Sequence, residues 1–133
     1  MIVIDASIAA KWILKNELDT DKALLILANH TSSVEKIIVP DLFFYEIANT
    51  LATKSKMILK ELLIALEKIY QAKLNIYHPL EYDVIQATKM AKKYKTSVYD
   101  MLYAVVAKVH KTTLITADEQ FVKQIGFKFI KLL

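Results

Sequence analysis

"MIVIDASIAAKW", residues 1–12, joins an apolar run to a carboxylate and then to a helical pattern. Ile2–Ile4 is a β-branched run of strand length. Asp5 closes it, and a helical pattern follows over Ala6–Leu14. A strand that feeds directly into a helix is half of a β–α unit. Whether that unit recurs decides the fold.

It recurs. Further strands are expected at Lys36–Val39, Asn75–Tyr77, Thr113–Thr116 and Phe127–Ile130, from β-branched or aromatic runs. Helical patterns separate them: Thr20–Asn29, Leu42–Lys54, Leu59–Lys73, Tyr82–Tyr94, Val98–His110 and Asp118–Ile125. "VPD" at 39–41 reads as a strand end, a Pro and a helix cap. Val98–His110 is apolar nearly all round, which implies burial. Strands alternating with helices predict an α/β domain with a mostly parallel central sheet, covered by helices on both faces. No repeat, low-complexity tract or Gly/Ser linker divides residues 1–133, so one domain is expected.

Composition narrows the class. The chain is 55% hydrophobic with a mean hydropathy of +0.30, more apolar than an average soluble domain. That predicts a compact core with apolar surface left over for a partner. No apolar stretch approaches the ~20 residues of a membrane span. The opening run is too short for a signal-peptide core and lacks a basic start. Cys is absent, which excludes disulfides, thiolate metal sites and a cysteine nucleophile. A cytoplasmic location is expected. The net charge is +4, and all 18 basic residues are Lys, which suits non-specific phosphate attraction better than bidentate reading.

In open parallel sheets, sites form beyond the carboxyl ends of the strands, and four acids are placed to meet there. Asp5 follows the first strand; Asp118 follows "TLIT" after one residue. Asp100 lies in the first turn of the most apolar helix. Glu46 shares a helix face with Asn49 and Thr53, while Phe44, Ile47, Ala48 and Leu51 occupy the other. Each acid has a local explanation. Asp5 or Ser7 can cap the first helix and Asp118 the last, Asp100 can complement a helix dipole, and Glu46 with Asn49 can form a solvated stripe. Local explanations do not account for convergence. Clustered carboxylates resist ionisation, and a hard divalent cation removes that cost. Oxygen-only ligands point to Mg²⁺ or Mn²⁺ rather than Zn²⁺, ions suited to phosphodiester hydrolysis.

"IVIDASIAAKW", "PDLFFYEIANTL", "SVYDMLYAVVA" and "LITADEQF", in this order and spacing, resemble the PIN-domain nucleases, specifically the VapC-type toxins. The resemblance runs from Ile2 to Ile130. It implies a three-layer α/β/α sandwich and Mg²⁺- or Mn²⁺-dependent hydrolysis of RNA by an acidic quartet. Carried over, the quartet is Asp5, Glu46, Asp100 and Asp118, accompanied by the polar residues Ser7, Asn49 and Thr116. Asp5 and Asp100 would be the principal metal ligands, and Glu46 would ligate or hold the attacking water. Asp118 would complete the cage or bind a second ion. Ser7, Asn49 and Thr116 would orient carboxylates or metal-bound waters. Many relatives carry Arg near the site; here Met101 follows the third acid, so phosphate contact falls to Lys residues such as Lys11, Lys54 or Lys95. Glu119 reads as a first-turn acid.

His30, His78 and His110 follow no metal or triad spacing and are expected to be structural or exposed. Trp12 is expected in the core. The function that best fits the resemblance is an endoribonuclease toxin blocked by a small antitoxin. The alternatives are a PIN nuclease of RNA processing or decay, and a silent PIN interaction module. The resemblance also implies a homodimer, for which the helices Leu42–Lys54 and Leu59–Lys73 are the candidate surface.

Overall fold

The computed structural model describes residues 1–133. Five strands, β1 (Ile2–Ile4), β2 (Ile37–Pro40), β3 (Asn75–Tyr77), β4 (Thr113–Thr116) and β5 (Ile130–Leu132), alternate with helices. The first four helices are α1 (Ala6–Ile13), α2 (Thr20–Thr31), α3 (Leu42–Lys54) and α4 (Leu59–Gln71). They are followed by α5 (Glu81–Tyr94), α6 (Val98–Val109) and α7 (Glu119–Ile125). The sheet order is β3-β2-β1-β4-β5, and every pairing is parallel.

Parallel neighbours need crossovers, and right-handed crossovers fix which face each helix covers. Connections running from β1 towards β3 place α1 to α4 on one face. The return to β4 and β5 places α5, α6 and α7 on the other. This is the expected three-layer α/β/α sandwich. Helix α6 packs across β1, β2 and β4, which explains its nearly all-apolar sequence. Met101, Ala104, Val106 and Ala107 are fully buried on it. The central strands match: Val3, Ile4, Ile37 and Val39 have no exposed surface. Strands buried on both faces are apolar at every position rather than at alternate ones.

The last strand differs from its expected position. Phe127–Phe129 forms a turn, and β5 begins at Ile130. Gly126 ends α7 with φ +66°, a left-handed conformation that glycine adopts without a Cβ penalty. The Phe127 carbonyl then accepts from the Ile130 N–H at 3.0 Å. Phe127 packs edge-on against Tyr94 at 5.2 Å and stacks with Phe129. Aromatic residues that suggest a strand here cover the end of α5 instead.

Two side chains lock the α1–α2 layer. The Trp12 indole N–H donates to the Ala23 carbonyl at 2.8 Å, which ties α1 to α2. His30, 4% exposed, accepts from the Ile37 N–H through Nδ1 at 3.0 Å. That acceptance leaves the proton on Nε2, which donates to the Ala72 carbonyl at 3.1 Å. One imidazole therefore joins the end of α2, the start of β2 and the link from α4 to β3. Replacing it by an apolar residue strands a donor and an acceptor away from water. His30→Leu is expected to lower unfolding stability by about 2–4 kcal/mol, read as a lower urea midpoint at an unchanged slope.

Candidate active site

The register of the two central strands builds the floor of a cleft. Ile4 pairs with Ile115, so Asp5 and Thr116 are each one residue beyond that pair, at the same edge. There the chain leaves β1 and β4 for different helices, and this switch point opens a crevice. Asp5, Ser7, Glu46, Asn49, Asp100 and Asp118 all line one cleft of about 250 Å³. Thr116 does not line it. Fully buried beneath, it accepts from the Asp118 N–H at 3.0 Å.

Each acid is held by local structure. Asp5 caps α1: its Oδ1 accepts from the Ser7 N–H at 3.0 Å and from the Ser7 hydroxyl. The Ser7 oxygen in turn accepts from the Ala117 N–H at 2.9 Å, so one hydroxyl joins the β1–α1 turn to the β4–α7 turn. Asp118 caps α7 by accepting from the Phe121 N–H at 2.9 Å. Asp100 sits in the first turn of α6, its N–H bound by the Ser97 oxygen at 3.0 Å. Glu46 projects from α3 and accepts from the Tyr103 hydroxyl.

Sequence reading missed Tyr103. Its signal is spacing, since Asp100 and Tyr103 stand three apart on α6 and share a face. Thr50 also lines the cleft beside Asn49, whereas Thr53 donates back to the Asn49 carbonyl at 2.7 Å. Of the lysines considered for phosphate contact, only Lys54 lines the cleft. Lys11 is 8% exposed; its ammonium donates to the Leu18 carbonyl at 2.6 Å and stands 3.5 Å from Glu17. Lys95 ends α5 in the left-handed region, and its carbonyl accepts from the Gln124 amide at 2.9 Å. Glu119 is exposed and pairs with Lys123 at 2.6 Å. No histidine lines the cleft.

Electrostatics distinguishes these acids from surface caps. Burial pushes the Asp5 carboxyl above its ordinary range; hydrogen bonds from Ser7 and Thr116 pull it partly back, and the Asp100 charge raises it. Burial also raises Glu46, opposed by the Tyr103 hydroxyl and reinforced by Asp100 and Asp5. The Tyr103 phenol is pushed up by burial and by Glu46, so it remains a donor. None of the four acids forms a salt bridge. An all-oxygen donor set with uncompensated charge fits a hard divalent cation. No three carboxylates close into a finished ligand set. Mg²⁺ does not require one, because it keeps several waters and takes one or two carboxylates.

The chain belongs to the PIN domain family, whose model matches residues 2–127. No curated protein matches it by sequence. Among solved structures, it is similar to PAE2754 from Pyrobaculum aerophilum, at TM-score 0.69 and 18% identity over 98% of this chain and 89% of that one. It is also similar to VapC20 of Mycobacterium tuberculosis, a toxin that cleaves the sarcin–ricin loop, at TM-score 0.72 and 14% identity. That match covers 92% of this chain and 94% of the toxin. FitAcB from Neisseria gonorrhoeae matches at TM-score 0.66 and 16% identity, over 100% and 96% of the two chains. At these identities the likeness is one of fold.

The raised Asp5 carboxyl makes a stability prediction. A folded-state value above the unfolded one means that the folded chain binds this proton more tightly. Its contribution is present below the unfolded value and is lost as pH rises through the folded one. Asn caps helices as well as Asp does and carries no charge. Asp5→Asn is expected to melt at a higher temperature than the wild type at pH 7 in EDTA, with the gap narrowing towards pH 4. Scanning calorimetry across that range checks it; a variant that melts lower at pH 7 contradicts it.

Proposed function

We propose that this PIN-domain chain is a Mg²⁺- or Mn²⁺-dependent endoribonuclease, the toxin of a VapBC-type toxin–antitoxin pair. The observation that carries the reading is the cleft itself. Asp5, Glu46, Asp100 and Asp118 come from distant stretches of the chain and face one opening without a cationic side chain paired to any of them. Asp5 and Asp100 are the principal metal ligands in this reading. Glu46 ligates or holds the attacking water, and Asp118 completes the set. Asn49 and Ser7 orient carboxylates and waters around it, and Thr116 supports Asp5 and Asp118 from below.

A divalent ion bound there would polarise a phosphodiester oxygen and lower the pKa of a coordinated water. The chain's own residues fix the geometry. Ser7 holds one Asp5 oxygen, which fixes the carboxylate while lone pairs remain to ligate. Tyr103 donates to Glu46, which aims that carboxylate into the cleft. Lys54, exposed at the end of α3 and on the cleft wall, neutralises a non-bridging phosphate oxygen and positions the RNA backbone. The lack of Arg makes that contact a point charge, tolerant of backbone orientation.

The partner proposal rests on apolar surface. Helix α3 buries Phe43, Phe44, Ile47 and Leu51 within the fold, so it offers little apolar surface. Helix α4 leaves Leu59, Leu63, Ile64 and Tyr70 exposed. Exposed apolar patches mark interaction sites, and α4 is the proposed homodimer face, while a small antitoxin covers the acidic cleft.

Cleavage of a structured RNA pool tests the activity. With Mn²⁺ or Mg²⁺ the wild type is expected to cut, and EDTA to stop it. Metal-ion stabilisation is worth several kcal/mol, and each 1.4 kcal/mol is tenfold. Asp5→Asn and Asp100→Asn should therefore lose at least ~100-fold in rate. Tyr103→Phe should lose about tenfold, the usual cost of removing an outer partner. Equal cleavage by wild type and Asp5→Asn would sink the nuclease reading. For assembly, light scattering should show a dimer that Leu63→Glu converts to a folded monomer; a wild-type monomer at micromolar concentration refutes the α4 face.

A further inference from the structure

The opposite end of the sheet carries a second charged feature. Where β4 begins, at the amino-terminal edge of the strands, a recess of about 420 Å³ lies between the end of α6 and the turn before β5. Lys108, Lys111, Lys128 and Lys131 line it, with Phe129 among them and no acidic residue. Two stretches of chain supply these lysines, 108–111 and 128–131. Lys108 is in the last turn of α6, Lys111 and Lys128 are in turns, and Lys131 is in the edge strand β5.

Three of the chain's 18 lysines pair with carboxylates. Lys11 meets Glu17, Lys22 meets Asp19 and Lys123 meets Glu119. None of the four recess lysines has such a partner. The carboxylate of Glu35 is engaged by the amino group of Met1, and the Thr112 hydroxyl donates to the Met1 carbonyl. A helix C-terminus favours cations, which accounts for Lys108 and Lys111. An edge strand favours Lys because it blocks further pairing, which accounts for Lys131. Neither explanation requires the four lysines to line one recess. An anion with several negative charges suits four lysines lining one recess, and a nucleic-acid backbone presents a charge at every nucleotide. Phe129 is half-buried and stacked on Phe127 at 5.4 Å, an aromatic surface beside the charges. Lysines with an aromatic neighbour suit a single-stranded backbone and its bases.

We propose that this recess binds the phosphodiester backbone of the RNA substrate at a point removed from the acidic cleft, anchoring RNA through Lys108, Lys111, Lys128 and Lys131. This rests on the RNA substrate proposed above. The recess and the cleft lie at opposite ends of β4, so a short oligonucleotide occupies one site and a longer RNA both. Contact at the recess tightens binding without changing the bond that is cut.

The test measures binding of a fluorescent single-stranded RNA in EDTA at several salt concentrations, by anisotropy. The Asp5→Asn background prevents cleavage. Two double variants, Lys108→Ala with Lys111→Ala and Lys128→Ala with Lys131→Ala, are compared with Lys89→Ala with Lys92→Ala on α5. Each phosphate contact to a single strand contributes ~0.7 to the slope of log affinity against log salt. Each recess double should flatten the slope by about 1.4 and weaken binding at least tenfold at low salt. The α5 double should change neither. Melting curves confirm that the variants fold, and folding alone does not move the slope. Unchanged slopes in both recess doubles, or no RNA binding at low salt, overturn the proposal. If the wild type cleaves RNA while the slopes stay fixed, the recess fails and the nuclease stands. If the slopes flatten but no RNA is cut with any metal, the recess stands and the nuclease reading fails.

Discussion

Strand β1 has parallel neighbours on both edges and helices on both faces, so nothing at its carboxyl end can avoid the interior. Ile2 pairs with Ile37 on one side and Thr113 on the other, and Val3 and Ile4 have no exposed surface. The residue after Ile4 must therefore emerge at the junction of two β–α connections. A carboxylate there is partly desolvated, and the rest of the site follows from that cost. Ser7 bonds to it, Thr116 supports it, and Asp100 and Glu46 add like charge beside it.

Capping and site-building are one role in this architecture. In a parallel α/β sheet, the helix that follows each strand begins at the carboxyl edge, and its first turn wants an acceptor. Asp5 and Asp118 supply that acceptor to α1 and α7. A carboxylate has about four lone-pair sites, so a capping bond fixes its position and leaves capacity for a ligand. The positive ends of the helix dipoles meet at the same place and lessen the repulsion among the acids. The local and the functional explanations of Asp5 and Asp118 are compatible, because each needs the side chain held where the other needs it.

Much of this was legible in the sequence, and what was not has identifiable causes. Strand and helix periodicities give β1 to β4 and the helices closely, since buried parallel strands are apolar throughout and helices repeat every 3.6 residues. Three of the acids could be assigned to one edge because Asp5 and Asp118 follow strands and Asp100 begins a helix, while Glu46 sits a turn into a helix that follows a strand. β5 was displaced because aromatic residues suit both strands and helix-covering turns, and Phe127 takes its place from Tyr94, 33 positions earlier in the chain. Lys11 looked available and is bound to the Leu18 carbonyl across the α1–α2 loop. Tyr103 looked like one more apolar residue of α6, because its hydroxyl's partner, Glu46, lies on a different helix. Periodicity registers which face a residue occupies; it does not register what that face meets.

The sheet's polarity also sorts the charges. Helix N-termini gather at the carboxyl edge with Asp5, Asp100 and Asp118, while the C-terminus of α6 points to the other edge, where Lys108 and Lys111 stand. A macrodipole favours each of these placements locally. The proposed RNA cleavage meets a physical difficulty at an acidic pole, since carboxylates repel a phosphodiester backbone. In the proposed function a divalent cation would offset that repulsion at the scissile phosphate, and Lys54, which lines the cleft, would add to that offset. Attraction between exposed charges is screened beyond about 10 Å at physiological salt, so lysines would have to contact a backbone directly to hold it. The recess at the opposite pole gathers four lysines. Parallel topology therefore places an acidic cleft and a lysine-lined recess at opposite ends of the same strands.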